Sequence, residues 1–213
     1  MFDLTLTFDN GPDDDATPLV LETLARRGIR ATFFVIGDRL AEHRALAERA
    51  AAEGHWIGNH TLTHSGPLGT RHERGLADRE IGRTQELLGG LAHPHRYFRP
   101  QGGGGKLGLH LLSAEAAGFL ERGHYTCVLW NSIPRDWDDP DGWVDRALAH
   151  CEERPWTLMV LHDIASGAMR HLDRFLDQVA EKGGRLRQDF PPDCVPMTDG
   201  IATGTFASYV SDK

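Results

Sequence analysis

The stretch Asp3–Pro12, DLTLTFDNGP, decides the fold. Leu4, Leu6 and Phe8 alternate with polar residues, the period of a strand with an apolar face. The run stops at Asn-Gly-Pro, ordinary turn chemistry. Asp9 and Asn10 are therefore delivered into a turn at the strand's C-terminal end. Asp13, Asp14 and Asp15 are N-cap candidates for a helix over Pro18–Arg27, and Gly28 stands where its C-cap belongs.

The same unit recurs along the chain. Short apolar runs at Ala31–Val35, Trp56–Gly58, Tyr97–Arg99, Tyr125–Trp130 and Thr157–Leu161 read as strands. Helical patterns fall at Leu40–Glu53, Arg71–Leu88, Leu107–Gly118, Asp141–Glu153 and Ala168–Lys182, with Gly54 and Gly118 as further C-caps. Strand–helix alternation of this kind implies a parallel sheet, open or closed into a barrel. No repeat or linker divides the 213 residues, so 1–213 is read as a single domain. The tail 185–213, rich in Pro, Gly, Thr and Asp, is expected to wrap over the surface after a last short strand.

Composition excludes several classes. There are 23 basic against 31 acidic residues, a net charge of −8, which argues against a nucleic-acid partner. Cys127, Cys151 and Cys194 are far apart and odd in number, which fits a reducing compartment and no structural zinc cluster. No apolar run reaches the roughly 20 residues of a membrane span. The chain opens as a strand rather than a signal peptide. The reading is a soluble cytoplasmic protein with no membrane partner.

Polar clusters follow the strands at one end: TFDNGP, NHTLTH, FRPQGGGG, WNSIPRDW and VLHD. In parallel α/β barrels the active site gathers at that face. In HTLTH, His60 and His64 stand at i and i+4 and can point from one helical turn at a single metal ion, although an HxxxH alone also arises by chance. A buried Asp9 beside a metal is a good general base for water. FRPQGGGGK is no phosphate loop: the pattern GxxxxGK[ST] would begin at Pro100 and end at Leu107. Its glycines let the backbone approach a ligand, and Arg99 before them can hold Asp9 ionised or form a structural ion pair. Asp136 behind His162 would fix the imidazole tautomer and make it a better acid; a buried core histidine is the alternative. Trp130 and Trp137 read as core packing.

Together these residues resemble the polysaccharide deacetylases, the nodulation-type chitooligosaccharide deacetylases of carbohydrate esterase family four. The likeness runs from Thr5 to Asp163, with all five motifs in the family's order. It implies a distorted (β/α) barrel of about seven parallel strands, a divalent metal, usually zinc, and hydrolysis of an N-acetyl (sometimes O-acetyl) group on a sugar. By resemblance Asp9 is the catalytic base, His162 the catalytic acid, Arg99 the residue that tunes the base and Asp136 the one that orients the acid. His60 and His64 are metal ligands. Trp137 and Leu161 are walls of the acetyl pocket.

The chain departs from the family twice. Asn10 replaces the second Asp of Thr-Phe-Asp-Asp-Gly, the usual third metal ligand. A neutral amide there should lower metal affinity and make a bound water more acidic. Gly102 replaces a tyrosine; its N–H remains available to an oxyanion, and loss of the ring is expected to widen the groove. Two other readings stand beside a sugar deacetylase. One is a weakly metal-dependent or metal-independent amidase on a small non-sugar amide. The other is an inactive carbohydrate-binding relative.

Overall fold

Strand β1 (Phe2–Asp9) is the hub of the main sheet in the computed structural model, which describes residues 1–211. Its alternation sends Leu4, Leu6 and Phe8 into the core under the helices. Thr7 and Asp9 point the other way, to a buried arginine inside the barrel. β7 (Trp156–His162) pairs with β1 in parallel along its full length, in the register Thr7↔Val160 and Asp9↔His162. On the other edge, β2 (Thr32–Val35) pairs with the C-terminal half of β1 and β8 (Gly184–Arg187) with the N-terminal half.

Beyond β2 the parallel order continues through β3 (Trp56–Asn59), β4 (Tyr97–Phe98) and β6 (Thr126–Cys127). The sheet then curls shut. After β6, the N–H groups of Asn131 and Ser132 donate to Leu158 O at 3.3 and 3.2 Å, and Val160 N donates to Ser132 O at 3.0 Å. The result is a distorted parallel barrel, as the family resemblance implies, with β1, β2, β3, β4, β6, β7 and β8 all parallel. A separate pair joins β5 (Leu112–Ser113) to β11 (Val210–Ser211).

The helices cover the outside: α1 (Ala16–Arg27), α2 (Gly37–Glu42), α3 (Arg44–Ala52), α4 (Arg83–Leu88), α5 (Ala114–Arg122), α6 (Trp143–Glu152) and α7 (Leu172–Glu181). Gly28 ends α1 in the left-handed conformation, φ 63°, as its position predicts. Three predicted helices differ. The run Leu40–Glu53 breaks at His43, whose Nδ1 reaches Asp14 Oδ1 at 2.8 Å. The run Arg71–Leu88 turns helical only at Leu76, because Arg71 is drawn aside to Glu73 and Glu80. The run Leu107–Gly118 is a loop and β5 before Ser113 caps α5, its Oγ accepting from Ala116 N at 3.1 Å; Gly118 lies inside that helix and is no cap.

The tail is more than a surface wrap. β8 belongs to the main sheet, and β9 (Met197–Thr198) pairs antiparallel with β6 and with β10 (Ile201–Ala202). Cys194, Met197 and Phe206 are buried. Residues 212–213 of that predicted tail lie outside the described residues.

Candidate active site

The five polar clusters meet at the C-terminal ends of the parallel strands, around a cavity of about 240 Å³. Arg99 supports it from below. This residue is fully buried just after β4, and its guanidinium donates four hydrogen bonds. Nη1 donates to Asp9 Oδ1 at 2.9 Å and Thr7 Oγ1 at 2.6 Å, Nε to Val128 O at 3.1 Å and Nη2 to Leu129 O at 2.9 Å. A buried arginine costs much unless paired and bonded in this way. The geometry joins Arg99 to Asp9, as the strand-end reading expects.

Asp9 has His60 on its other side, with His60 Nε2 at 3.6 Å from Asp9 Oδ2. His60 Nδ1 donates to Arg99 O at 2.8 Å, which leaves the Nε2 lone pair free. The His60 and His64 rings lie 4.9 Å apart. Burial lowers both pKa values, that of His64 to about 3, which favours the neutral rings. The segment carrying them is not the helical turn expected from HTLTH. It is a turn after β3 in which Thr61 (φ 69°) and His64 (φ 52°) are left-handed.

Asn10 follows Asp9 in a left-handed conformation, φ 76°. Its Oδ1 is buried and makes no hydrogen bond. An orphaned acceptor is costly and calls for an explanation. With two neutral imidazoles it completes a donor set that fits a divalent cation such as zinc. Among the described residues no three His, Cys, Asp or Glu side chains form such a group. The turn is fixed from behind: Gly11 N donates to Asp163 Oδ1 at 3.1 Å, Thr17 Oγ1 donates to Asp163 Oδ2 at 2.6 Å, and Gly11 O accepts from Ile36 N at 3.1 Å. A Cβ at Gly11 would fall 2.1 Å from Asp163 Oδ2, so only glycine fits. Burial pushes the Asp163 carboxyl up to about 7 against those two donors. Sequence reading passed over Asp163; its adjacency to His162 was the available signal.

Across the cavity, His162 Nδ1 donates to Asp136 Oδ1 at 2.9 Å, and His162 N donates to Asp136 Oδ2 at 2.8 Å. Burial alone would lower the pKa of His162, but the Asp136 carboxylate outweighs it and raises the pKa. Trp137 packs edge-on against the His162 ring, centroids 4.7 Å apart.

Two expectations fail here. Leu161 does not face the cavity: it lies in the core under the helices, and Val160 lines the site instead. The cause is the two-residue period of β7, which puts Val160 and His162 on one face and Leu161 on the other. Nor is the space beside Gly102 left open. A Cβ there would meet the Trp130 ring at 2.6 Å, so this indole, lining the cavity and tied by Nε1 to Gly105 O at 3.0 Å, occupies the place of a side chain at 102. Gly102 itself lines the cavity with bare backbone.

A curled parallel barrel with this strand-end site is the architecture of the polysaccharide deacetylases. The model of that family, Polysaccharide deacetylase, matches residues 3–119, and the chain belongs to the family. Over 166 residues it is 36% identical to a chitooligosaccharide deacetylase of Rhizobium leguminosarum bv. trifolii, covering 74% of this chain and 70% of that one. A peptidoglycan-N-acetylglucosamine deacetylase of Bacillus cereus is 28% identical over 191 residues, 86% of this chain and 66% of the relative. Among solved structures, a family 4 carbohydrate esterase from Streptomyces lividans in complex with acetate superposes with a TM-score of 0.73 at 26% identity, over 91% of this chain and 96% of that one. By class the protein is a carbohydrate deacetylase.

Proposed function

We propose that residues 1–213 act as one catalytic domain that removes an N-acetyl (or O-acetyl) group from a sugar or short oligosaccharide. One observation carries the reading: the Asp9–Arg99 pair and the Asp136–His162 pair open on the same cavity, with Asn10, His60 and His64 beside them. The relatives named as deacetylases of chitooligosaccharides and of peptidoglycan N-acetylglucosamine support the substrate class.

His60, His64 and Asn10 would hold a divalent ion, zinc by donor type, which when bound supplies Lewis acidity for water and for the acyl oxygen. Asp9, bonded to Arg99, takes the proton of the attacking water. The Gly102 N–H donates to the developing oxyanion. His162, kept protonated by Asp136, gives its proton to the leaving amine. Trp137 and Val160 are the apolar walls against the acyl methyl. The three cysteines are free and buried, as a reducing, cytoplasmic setting would have them. Among the described residues no helix is long and apolar enough to cross a membrane.

Acetate release from chitooligosaccharides, with and without added zinc, tests the reading. Release that disappears in Asp9→Asn and His162→Asn supports it. Sugar binding with no release in any condition would mark an inactive binding relative. Release from small amides alone would favour the amidase.

A further inference from the structure

The turn bearing His60 and His64 is strained. Thr61 is β-branched yet left-handed, and His64 is left-handed as well. Such conformations persist only where the surroundings over-determine them. The restraining groups come from a helix that does not touch the cavity. On the way into α4, this helix widens into a π turn over Asp78–Gly82, a feature frequent near functional sites. Glu80 lies on the π turn and is 1% exposed. One of its oxygens, Oε2, accepts from Thr63 N at 3.0 Å; the Thr63 hydroxyl donates to Oε1 at 3.0 Å, and Arg71 Nη1 donates to Oε1 at 3.2 Å. The next residue also engages the turn: Ile81 O accepts from Asn59 Nδ2 at 2.9 Å, and Asn59 Oδ1 accepts from Thr61 N at 3.0 Å.

A carboxylate this deeply buried pays a desolvation cost that an apolar residue would avoid. Leu76, Ala77 and Ile81 on the same helix are ordinary core residues. Besides Arg71, Glu80 accepts from both the N–H and the hydroxyl of Thr63, the residue next to His64.

We propose that Glu80 is a positioning residue for the metal site: through Thr63 it holds the strained turn in the shape that aims the His60 and His64 imidazoles at one point. The proposal rests on the reading of those histidines as metal ligands. Outer groups that fix the orientation of metal-binding histidines typically contribute roughly 10- to 100-fold to metal affinity.

The test measures zinc affinity of metal-stripped protein by competition with a chromogenic chelator, the absorption spectrum of the cobalt-loaded form, and the melting temperature. Glu80→Ala should weaken zinc roughly 10- to 100-fold and change the cobalt spectrum. Glu80→Gln, which keeps an oxygen for Thr63 N, should stay within a few-fold of the parent protein. Thr63→Val, which keeps only the backbone half of the contact, should fall between them. A lower melting temperature with unchanged zinc affinity and cobalt spectrum would overturn the proposal. Should Glu80→Ala fail to fold, an unchanged Thr63→Val overturns it equally. If the parent protein binds neither metal, the reading of the histidines as ligands fails first, an outcome distinct from a parent that binds and variants that bind as well.

Discussion

Asp9 and His162 are register partners at the paired ends of β1 and β7, so the proposed base and acid stand side by side on the two longest strands of the sheet. Their second partners differ in sign: Asp9 is bonded to a cation, Arg99, and His162 to an anion, Asp136. The Asp136 carboxylate favours the cation of His162.

This opposition sets the pH profile. His162 must be protonated to act as acid, and its pKa lies above the ordinary histidine value. Activity should therefore fall as pH rises through that raised pKa. Asp136→Asn removes the anion and should move this alkaline limb to lower pH, with a loss in kcat of about 10²- to 10⁴-fold. A pH–rate profile of both proteins checks it; an unmoved limb assigns the titration elsewhere.

Asn10→Asp should raise zinc affinity roughly 10-fold or more, because a carboxylate replaces a neutral oxygen whose buried position already lacks a partner. Titration of metal-stripped protein reads this directly. Equal affinities would place Asn10 outside the metal's reach.

Gly102→Tyr should not restore a lost wall. Trp130 fills that space, so the ring would overpack the site and cost about 1–3 kcal/mol in thermal or denaturant unfolding. Combining it with Trp130→Gly should recover much of the loss, a coupling that a double-mutant cycle measures.

Asp163 predicts a stability trend. Its folded-state pKa is raised to about 7, above the usual carboxyl value of 3.8, so its contribution is full below the latter and is lost as pH rises through the former. Asp163→Asn should flatten the fall in stability between those values. Melting temperatures across that range, measured for both proteins, decide it.

Much of this was legible in the sequence because strand ends are. Asp9, Arg99 and His162 each close an apolar run, and a parallel barrel brings such ends together whatever the loops do. What failed was side and shape. Leu161 and Val160 look alike in a fully apolar strand, and only the direction of His162 tells which of them faces the cavity. HTLTH has helical spacing, but left-handed Thr61 and His64 make it a turn. Glu80 reads as one more charge on a helix until the π turn swings it into the interior. Trp130 reads as core and is core, yet its ring also edges the cavity, because Gly102 leaves it the room.

The hydrogen bond from Gly11 to Asp163 bears on the chemical lifetime of the site. Asn-Gly is a dipeptide prone to losing its side-chain amide, since an unhindered glycine nitrogen can turn onto the asparagine carbonyl and expel ammonia. Here that nitrogen is held by Asp163 and the Gly11 carbonyl by Ile36. The asparagine is thereby guarded against cyclisation to the imide and the mixture of aspartate and isoaspartate that follows from it. Activity measured on stored protein therefore belongs to the sequence as written.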